Sequence, residues 1–479
     1  MSKVTLPYAP SAEQVHAHLD AMKRAQYDAG PPSAELRKDR LARAIDLLST
    51  QREAIIDAIS ADFGTRSRQQ TLLADVLASI GSLRFNHEHL DEWMKTPLEQ
   101  QPFPGARAWV EYQPMGVVGI VSPWNFPLVL AFGPLASVFA AGNLAILKPS
   151  EHTPQTSALL AELIAQYFDT DELTTVLGGP DTGALFSSLP FDHLIFTGST
   201  RVAHHVMRAA SDNLVPVTLE LGGKSPVVVA PDANIALVVE RVLAAKTFNA
   251  GQICLSPDYV LIEAARVDAF ISHAKTVIAN MYPTLRDNPD YTSMINASGF
   301  ERQHELIDDA RKQGATIVDL CATEEDLSDV AVRKVPPTLI VGVTDTMQVM
   351  REEVFGPVLP IMTYRTLDEA IEYINGKPRP LAVYFFGDDA RARERVSSRT
   401  TSGALVVNDA MSHFLVDALP FGGSGASGMG HYHGEYGFRA LSHAKPIFLQ
   451  SEGGESNLLM RAPYSDMTTA AIAAMIDAQ

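Results

Sequence analysis

The chain contains little cysteine, with only Cys254 and Cys321 among its 479 residues. This excludes the framework of several disulfides that small secreted domains use in place of a large core. Residues 1–27 also lack a basic start followed by an apolar run, so no signal peptide is predicted. Both observations lead us to expect a reducing, cytoplasmic location.

Basic residues are in deficit, with 38 lysines and arginines against 56 aspartates and glutamates. The resulting net charge of −18 repels a phosphate backbone or an anionic membrane surface, so nucleic acid is not an expected partner. A local basic pocket for a dinucleotide remains compatible with this balance.

Long apolar runs are missing as well, apart from residues 127–147, which are long enough to cross a bilayer. Gly133, Pro134 and Gly142 interrupt this run. Because proline and glycine break regular structure, we predict a buried loop, a core helix and the start of a strand here, and no membrane span.

Several motifs with known chemistry are absent. No G-x-S-x-G, H-E-x-x-H or phosphate-loop pattern occurs, and the position five after Gly198 is Ala203, so the G-x-G-x-x-G fingerprint is incomplete. His431 and His433 lie close together, but no cysteine stands near them to complete a set of ligands. We therefore predict no metal site.

The patterns that are present indicate about three domains, or two large ones with an appendage. The first hundred residues read as helices, with a capping box at Ser11 and Gln14. From Gly116, β-rich runs alternate with helical ones, which is typical of a parallel dinucleotide-binding sheet. The predicted strands are 117–121, 144–148, 194–197 and 217–221, and the predicted crossover helices are 156–168 and 201–210.

A second α/β series begins near Ser225 and predicts a second sheet domain. Its apolar runs are 227–229, 259–262, 339–341, 358–362, 382–386 and 404–407. The glycine-rich segment 420–437 reads as a loop that returns the chain toward the first domain.

Cys254 is the first candidate for chemistry, because the small residues of Asn-Ala-Gly-Gln-Ile-Cys at 249–254 let a substrate approach the sulfur. Only a thiolate attacks, so a functional cysteine needs cationic or dipolar help. A lone cysteine is otherwise usually a small buried apolar residue, and the motif alone favours that interpretation.

Glu220 and Asn125 are the next candidates. Glu220, in Leu-Glu-Leu-Gly-Gly-Lys at 219–224, is suited to a general base if burial raises its pKa, and equally to a pair with Lys224 or a helix cap. Asn125, in Pro-Trp-Asn-Phe-Pro at 123–127, offers a rigid amide donor for an oxyanion, although asparagine between prolines is more often a turn residue.

Three further motifs lie where an open α/β sheet binds nucleotides. Lys-Pro-Ser-Glu at 148–151 ends a strand, and Phe-Thr-Gly-Ser at 196–199 opens a helix whose N–H groups attract an anion. Glu-Val-Phe-Gly-Pro at 353–357 supplies a carboxylate and an aromatic ring before a turn. An acidic first turn for Glu151 and a packed turn for 353–357 are the alternatives.

Together and in this order, these motifs resemble the aldehyde dehydrogenase superfamily over nearly the whole chain. The stretches Cys-Leu-Ser-Pro-Asp-Tyr at 254–259, Leu-Pro-Phe-Gly-Gly at 419–423 and Gly-Met-Gly-His-Tyr-His-Gly at 428–434 look like the branch that contains coniferyl aldehyde dehydrogenases and class 3 type enzymes. The resemblance implies an aromatic or medium-chain aliphatic aldehyde as substrate.

The resemblance also implies the catalytic roles. Cys254 attacks the carbonyl, Asn125 and the Cys254 backbone N–H stabilise the oxyanion, hydride leaves to nicotinamide, and Glu220 activates the water that hydrolyses the thioester. The implied cofactor-binding residues are Trp124, Lys148, Glu151, Gly179, Gly183, Phe196, Gly198, Ser199, Leu221, Gly222, Glu353 and Phe355. A carboxylate at Glu151 repels a 2′-phosphate, which favours NAD and leaves NADP open.

The implied fold has a Rossmann-type NAD(P)-binding domain at 1–222, an α/β catalytic domain at 223–420, and a return at 421–479 with an oligomerisation strand and a tail. Residues 103–115 are expected to join the oligomerisation flap, with strands at 108–112 and 447–449, in a homodimer or higher oligomer. Ala203, where the family commonly has glycine, leaves cofactor affinity in doubt.

Three alternatives remain open on sequence alone. The first is a relative that passes the acyl group to phosphate or coenzyme A, against which Glu220 argues. The second is a protein that keeps the fold without catalysis. The third is a thiol hydrolase built on Cys254, for which no histidine suggests itself as a partner.

Overall fold

A layer of helices opens the chain in the computed structural model, which describes residues 10–95, 100–102, 105–454, 457–458 and 461–478. The Ser11 hydroxyl accepts from the Gln14 N–H and the Gln14 side chain accepts in return, so the predicted capping box is confirmed. A π-helical turn, Leu72–Leu77, joins the last two helices. The layer comprises α1 (Ala12–Ala29), α2 (Ala34–Thr50), α3 (Arg52–Phe63), α4 (Arg68–Thr71) and α5 (Ala78–Trp93).

Strands and helices then alternate along the chain. The first series is β1 (Arg107–Pro114), β2 (Val117–Val121), α6 (Val129–Ala140), β3 (Leu144–Lys148), α7 (Pro154–Tyr167), β4 (Leu173–Thr175), α8 (Pro180–Ser187), β5 (His193–Gly198), α9 (Thr200–Ser211) and β6 (Val217–Leu221). The second series is β7 (Ser225–Val229), α10 (Ile235–Thr247), β8 (Pro257–Glu263), α11 (Val267–Met281), α12 (Ala297–Lys312), β9 (Thr316–Asp319), β10 (Thr338–Val341), α13 (Gln348–Arg351), β11 (Val358–Tyr364), α14 (Leu367–Asn375), β12 (Ala382–Phe386), α15 (Ala390–Arg399) and β13 (Ala404–Val407). The last elements are β14 (Gly428–Met429), α16 (Gly434–Ala440), β15 (Ser442–Leu449) and α17 (Asp466–Asp477).

The first sheet has the order β14-β6-β5-β2-β3-β4. Its pairs are parallel except β14, which runs antiparallel to β6 at the edge. The four predicted strands are confirmed, because strands buried on both faces are continuous apolar runs in the sequence. The three-residue β4 was not predicted.

The second sheet has the order β13-β12-β7-β8-β11-β10-β9. The six predicted runs all form strands, paired in parallel. The seventh strand, β9, pairs antiparallel with β10 at the edge and is partly exposed, so it lacks the apolar run that marked the others. One apolar core holds side chains from both units, including Phe126 and Leu130 beside Val227 and Val260.

Two local predictions were wrong in part. The buried loop, core helix and strand start predicted for residues 127–147 are confirmed, but α6 continues through Gly133 and Pro134, where we expected an interruption. Every residue of α6 is buried, and this packing outweighs the loss of one backbone hydrogen bond. The glycine-rich segment is not all loop, because it contains β14 and the start of α16. A Cβ on Gly428 would lie 2.2 Å from the Leu219 carbonyl oxygen, so glycine allows this close strand pairing.

A separate two-stranded ribbon is formed by β1 and β15, which pair antiparallel from Arg107 opposite Leu449 to Pro114 opposite Ser442. The ribbon contains the expected segments 108–112 and 447–449. Residues 103–104 of the expected flap lie outside the described residues. Within the described ranges, no helix is long and apolar enough to cross a membrane.

Candidate active site

The segment before Cys254 has an unusual backbone. Asn249, Ala250 and Gly251 follow one another with φ values of 50°, 51° and 73°. Left-handed backbone is unfavourable for alanine, at roughly 1–2 kcal/mol, so the surroundings must hold it in place. At Gly251 an added Cβ would lie 2.2 Å from the Gly356 carbonyl oxygen, which is why glycine is required there.

Gln252 provides much of that support. Its Nε2 donates to the carbonyl oxygens of Asn249 and Ser293 at 3.0 and 3.1 Å, and its Oε1 accepts from the Ile295 N–H at 2.9 Å. From the other side, Gln70 Oε1 accepts the Asn249 N–H at 2.9 Å. The strained turn is therefore fixed by buried hydrogen bonds just ahead of the sulfur.

Asn125 lies against the same turn. The side chain is 4% exposed, and its Nδ2 donates to the Gln252 carbonyl oxygen at 3.1 Å. In return, the Asn125 carbonyl oxygen accepts from Asn249 Nδ2 at 3.1 Å. Since an amide nitrogen carries two hydrogens, this bond orients the group and leaves its second N–H to donate elsewhere.

Glu220 ends in a buried, apolar environment near the end of β6. It is 3% exposed, and neither carboxylate oxygen has a hydrogen-bond partner among the described residues. Burial raises the pKa of Glu220 well above its ordinary value. The alternative pair with Lys224 is wrong, because the Lys224 ammonium instead contacts Asp258 and donates to the Val349 carbonyl oxygen at 2.7 Å.

The half-buried Cys254 sulfur has carboxylates for neighbours. Burial, together with the charges of Glu353 and Glu220, raises the pKa of the Cys254 thiol to about 12, which the backbone N–H groups of Leu255 and Cys254 only partly oppose. A thiolate needs stabilisation by a cation or by dipoles. Here the backbone N–H dipoles of Leu255 and Cys254 provide it. A reactive Cys254 needs a nearby group to take its proton.

A cleft of about 340 Å³ opens beside the sulfur, between the two sheets. It gathers most of the candidate residues that the sequence indicated. Those on its wall are Trp124, Asn125, Gly198, Ser199, Glu220, Leu221, Gly222, Cys254, Glu353 and Phe355. The remaining candidates, Lys148, Glu151, Gly179, Gly183 and Phe196, are not part of this wall.

Lys148, Glu151 and Gly183 form their own group at the end of β3. The Lys148 ammonium lies 3.3 Å from Glu151 Oε2, and a Cβ on Gly183 would lie 3.4 Å from Lys148 Cε. Gly179 is the N-cap residue of α8, beside this group. The group is polar and partly open, so it can receive the far end of an extended ligand.

Gly198 and Ser199 connect β5 to α9. The Ser199 hydroxyl accepts the Val202 N–H at 3.4 Å and caps the helix. The ring of Phe196 packs against Gly198, where a Cβ would lie 2.6 Å from it. Ala203 is 2% exposed and belongs to the apolar core behind this helix. The helix therefore presents its amino-terminal N–H groups at the cleft.

Glu353 and Phe355 lie on the opposite wall. The Glu353 carboxylate packs against Gly222, where an added Cβ would lie 2.1 Å from Oε2. Its Oε1 is buried without a partner among the described residues, and burial raises the pKa of Glu353 to about 8. Phe355 has φ 49°, and its ring stands edge-on to that of Trp124 at 5.5 Å.

A second cavity, of about 220 Å³, reaches Cys254 from another side and is almost entirely apolar. Its wall includes Leu73, Phe126, Leu130, Phe248, Met411, Phe414 and Phe421. Two of them stand in motifs noted in the sequence, Phe126 in Pro-Trp-Asn-Phe-Pro and Phe421 in Leu-Pro-Phe-Gly-Gly, but neither was assigned to a pocket. Sequence reasoning missed the others because loops and helices distant in the chain contribute them. It also missed Asn296, Arg302 and Gln303 on the wall of the first cleft.

Neither cavity contains a histidine among the described residues that line it with Cys254. The part of the chain that the structure describes also holds no group of three or more His, Cys, Asp or Glu residues placed to bind a metal ion.

Two mainly parallel sheets that meet at a thiol, an amide and a buried carboxylate define an α/β enzyme whose reaction centre lies between its two units. The chain belongs to the aldehyde dehydrogenase family, whose model matches residues 3–447. It is therefore an oxidoreductase that oxidises an aldehyde and uses NAD(P).

Two relatives confirm the branch that the sequence resembled. The chain is 61% identical over 467 residues to coniferyl aldehyde dehydrogenase of Pseudomonas sp. (strain HR199 / DSM 7063), covering 97% of each chain. It is 38% identical over 420 residues to aldehyde dehydrogenase family 3 member A2 of Rattus norvegicus, covering 87% of this chain and 84% of the other.

Solved structures confirm the fold. The substrate-bound state of AldH from Staphylococcus aureus is 34% identical with a TM-score of 0.90, covering 96% of this chain and 99% of that one. Aldehyde dehydrogenase from Mycobacterium tuberculosis, complexed with NAD+, is 27% identical with a TM-score of 0.82, covering 93% and 92%.

Proposed function

We propose that this enzyme oxidises an aromatic aldehyde of the coniferyl type to its carboxylic acid, with NAD as the preferred acceptor. One observation carries the proposal: Cys254 stands on the walls of both the polar cleft and the apolar cavity. The aromatic side chains of the apolar cavity suit a flat ring, and the 61% identical relative is named for coniferyl aldehyde.

In the proposed reaction, Glu220 takes the proton of the Cys254 thiol and the sulfur bonds to the carbonyl carbon. Glu220 is a suitable acceptor because burial raises its pKa well above the ordinary value, which makes its carboxylate a stronger base. The free N–H of the Asn125 amide and the Cys254 backbone N–H donate to the oxygen as it gains charge. Such a donor typically contributes ~10²–10³ in rate.

The first cleft has the features that a dinucleotide requires. Gly198 and Gly222 keep side chains out of it, and the first turn of α9 offers N–H groups to a pyrophosphate. Glu353 Oε1, which has no partner in the part of the chain that the structure describes, is available to a ribose hydroxyl. A bound nicotinamide would supply the acceptor for the hydride of the thiohemiacetal carbon. Trp124 and Phe355 flank the space for that ring, and Leu221 completes the wall.

The remaining step is hydrolysis of the Cys254 thioester. Once the proton taken from Cys254 has left for solvent, the Glu220 carboxylate removes a proton from a water molecule, whose oxygen bonds to the thioester carbon. The carbon–sulfur bond then breaks, the acid is released, and the proton on Glu220 passes to the sulfur. The absence of a hydrogen-bond partner for either oxygen of Glu220 among the described residues supports this role, since a base must be free to receive its proton.

We further propose that Lys148, Glu151, Gly179, Gly183 and Phe196 bind or support the adenosine end. The Glu151 carboxylate then disfavours a 2′-phosphate and hence NADP. Lys148 lies 3.3 Å from that carboxylate and moderates the effect. The ratio of kcat/KM for NAD to that for NADP measures the preference, and a ratio below one would contradict it.

The substrate proposal is tested by following NADH absorbance with coniferyl aldehyde, cinnamaldehyde, hexanal and propanal. We expect the aromatic aldehydes to exceed propanal at least ~10-fold in kcat/KM, since each buried CH₂ group contributes about 0.8 kcal/mol. The Cys254→Ser variant is the control and should be inactive. A preference for the short aliphatic aldehydes would overturn the proposed substrate.

Glu220→Gln tests the hydrolytic step. Glutamine preserves the shape but cannot accept a proton from the thiol or from water. We therefore expect a slower burst of at most one NADH per site, followed by steady-state turnover slowed ~10²-fold or more. Rapid mixing with excess NAD resolves the two phases. Normal steady-state turnover would remove Glu220 from this role, and turnover of the wild type only with coenzyme A or phosphate would favour the acyl-transferring alternative.

The organisation of the molecule is also proposed. Residues 1–222 form the NAD(P)-binding domain, residues 223–420 the catalytic domain, and residues 421–479 return to the first domain. The β1–β15 ribbon is proposed to join two copies of the chain in a homodimer, and the enzyme is proposed to work in the cytoplasm.

A further inference from the structure

A buried ion pair near the active site has no part in the steps above. Arg66 Nη2 lies 2.6 Å from Asp75 Oδ2, and neither side chain is exposed. Burying two charges is unfavourable unless the pair is well placed and further hydrogen bonds satisfy it. The other hydrogen bonds of Arg66 and Asp75 therefore indicate the structural role of the pair.

The bonds of Asp75 end at the first turn of α6. Its Oδ1 accepts the Leu128 N–H at 3.1 Å and the Val129 N–H at 3.3 Å. Asp75 lies within the π-helical turn Leu72–Leu77, where a wider backbone turn directs it into the core. It thus ties the wall of the apolar cavity, which includes Leu73, to the segment that follows Asn125.

The bonds of Arg66 end at Asn125 itself. Arg66 Nη1 donates to the Asn125 carbonyl oxygen at 2.7 Å. Its guanidinium also lies over the rings of Phe63 and Phe126, at 4.9 and 4.8 Å from their centres. One side chain thereby fixes the backbone of Asn125 and the ring of the next residue.

These contacts hold Asn125 from the side opposite the cysteine. Asn249 and Gln252 bond it from the nucleophile loop, while Arg66 and Asp75 fix its backbone and the helix that follows. A donor placed for a developing charge must keep its position to a fraction of an ångström to be effective.

We infer that Arg66 and Asp75 are positioning residues that hold the Asn125 amide in place for the oxyanion. This inference rests on the role proposed above for Asn125. It assigns a catalytic consequence to a pair that touches neither substrate nor cofactor and lies in the amino-terminal helical layer.

The test is a mutant cycle read by the rate constant of the NADH burst. The variants are Asn125→Ala, the pair replacement Arg66→Met with Asp75→Leu, and all three changes together. Replacing both charges at once leaves no unpaired charge in the core, which favours folding. Circular dichroism and thermal unfolding check each variant, and the Kd for NAD serves as an independent readout.

We expect Asn125→Ala to slow the burst ~10²-fold and the pair replacement to slow it ~10-fold, with the Kd for NAD unchanged. The triple variant is expected to match Asn125→Ala within about 2-fold, because the pair acts only through Asn125. If the pair replacement slows the Asn125→Ala enzyme by its full factor, the positioning role is wrong. If Asn125→Ala alone has no effect, the proposed oxyanion role fails instead.

Two further variants keep the result decisive. Arg66→Lys retains the charge beside Asp75 but lacks the planar fork that reaches both partners, so it should slow the burst in wild type and not in Asn125→Ala. If the pair replacement does not fold, Arg66→Lys provides the same test in its place. Replacing Arg40 by Met and Glu172 by Leu removes a largely buried pair that lines neither cavity beside Cys254; it is the matched control and should leave the burst unchanged.

Discussion

At the scale of single residues, the reaction centre concentrates polar atoms that are buried without a partner among the described residues. Glu220 has two such oxygens and Glu353 has one. Lys246, which is near enough to interact with Glu353, and Tyr432, which is near enough to interact with Glu220 and Cys254, have one such atom each. An unsatisfied buried group costs about 1–3 kcal/mol, so the cluster is a local loss of stability that a binding or catalytic role explains.

Glu353→Gln tests this cost through its dependence on pH. The pKa of Glu353 is about 8 in the folded chain against an ordinary 4.5. The protonated Glu353 therefore contributes fully to the free energy of unfolding below about pH 4.5. This contribution is lost as the pH rises toward 8, at about 1.4 kcal/mol for each unit by which the folded and unfolded pKa values differ. Glutamine does not ionise, so the variant should gain stability relative to wild type between pH 5 and pH 9.

Urea unfolding at pH 5, 7 and 9 measures this difference. The exposed neighbour Glu352, changed to Gln, is the control and should follow the wild type at each pH. A difference between Glu353→Gln and wild type that stays constant with pH would contradict a buried, protonated Glu353.

Residue identities at the site were largely readable from the sequence, whereas their partners were not. Cys254, Glu220 and Asn125 stood out because a thiol, a carboxylate and an amide occurred beside glycines or prolines. The bond from Arg66 to Asn125 spans 59 residues, and no local pattern encodes it. The sequence also carried no sign that Lys224 pairs with Asp258. A salt bridge between Glu220 and Lys224 therefore remained possible until the structure was known.

At the scale of elements, the π-helical turn and α5 expose some of their leucines and bury some of their polar side chains. Leu73 and Leu77 are 46% and 58% exposed, while Asp75, Ser79 and Ser82 are buried. Leu415 and Val416 are also exposed, and Leu415 joins Leu73 on the wall of the apolar cavity. An exposed apolar rim of this kind is expected where an apolar ligand enters.

Leu73→Arg is expected to raise the KM for an aromatic aldehyde about 10-fold or more, because it puts a charge at this rim. The Kd for NAD should stay unchanged, since Leu73 does not line the polar cleft. Steady-state kinetics and a fluorescence titration with NAD measure the two constants. Leu237→Arg, at an exposed leucine of α10, is the control, and an equal rise in its KM would refute a specific role for the rim.

Elements were predictable where burial leaves a pattern in the sequence. The parallel strands are continuous apolar runs, and their bounds were read to within a residue or two. The edge strands β4 and β9 are short or half exposed and leave no such pattern. The wall of the apolar cavity comes partly from the segment after β13, whose course depends on tertiary packing alone.

At the scale of the whole molecule, the β1–β15 ribbon is separate from both sheets and exposes Phe448 and Leu449 at 51% and 49%. A ribbon of two strands is marginally stable alone and gains from pairing with another sheet. This supports its proposed role in joining two copies of the chain.

Phe448→Glu combined with Leu449→Glu is expected to shift a dimer toward monomer, because it places like charges on the ribbon of each copy. Light scattering coupled to gel filtration, over a range of protein concentrations, measures the change. Leu214→Glu, at a 90% exposed position outside the ribbon, is the control. A dimer of unchanged stability in the double variant would exclude this part of the ribbon from the interface.

The hydrogen bonds that cross from the Asn125 loop to the nucleophile turn restrict how the molecule works. A clamshell cycle, in which two lobes swing apart to admit ligands, would break the bonds of Asn125 to Asn249 and Gln252 at every turnover. The contact between the Asn125 loop and the turn at Asn249 to Gln252 must therefore stay intact during turnover. The dinucleotide and the aldehyde therefore reach the sulfur by separate routes, through the polar cleft and the apolar cavity, without a movement of the two units apart.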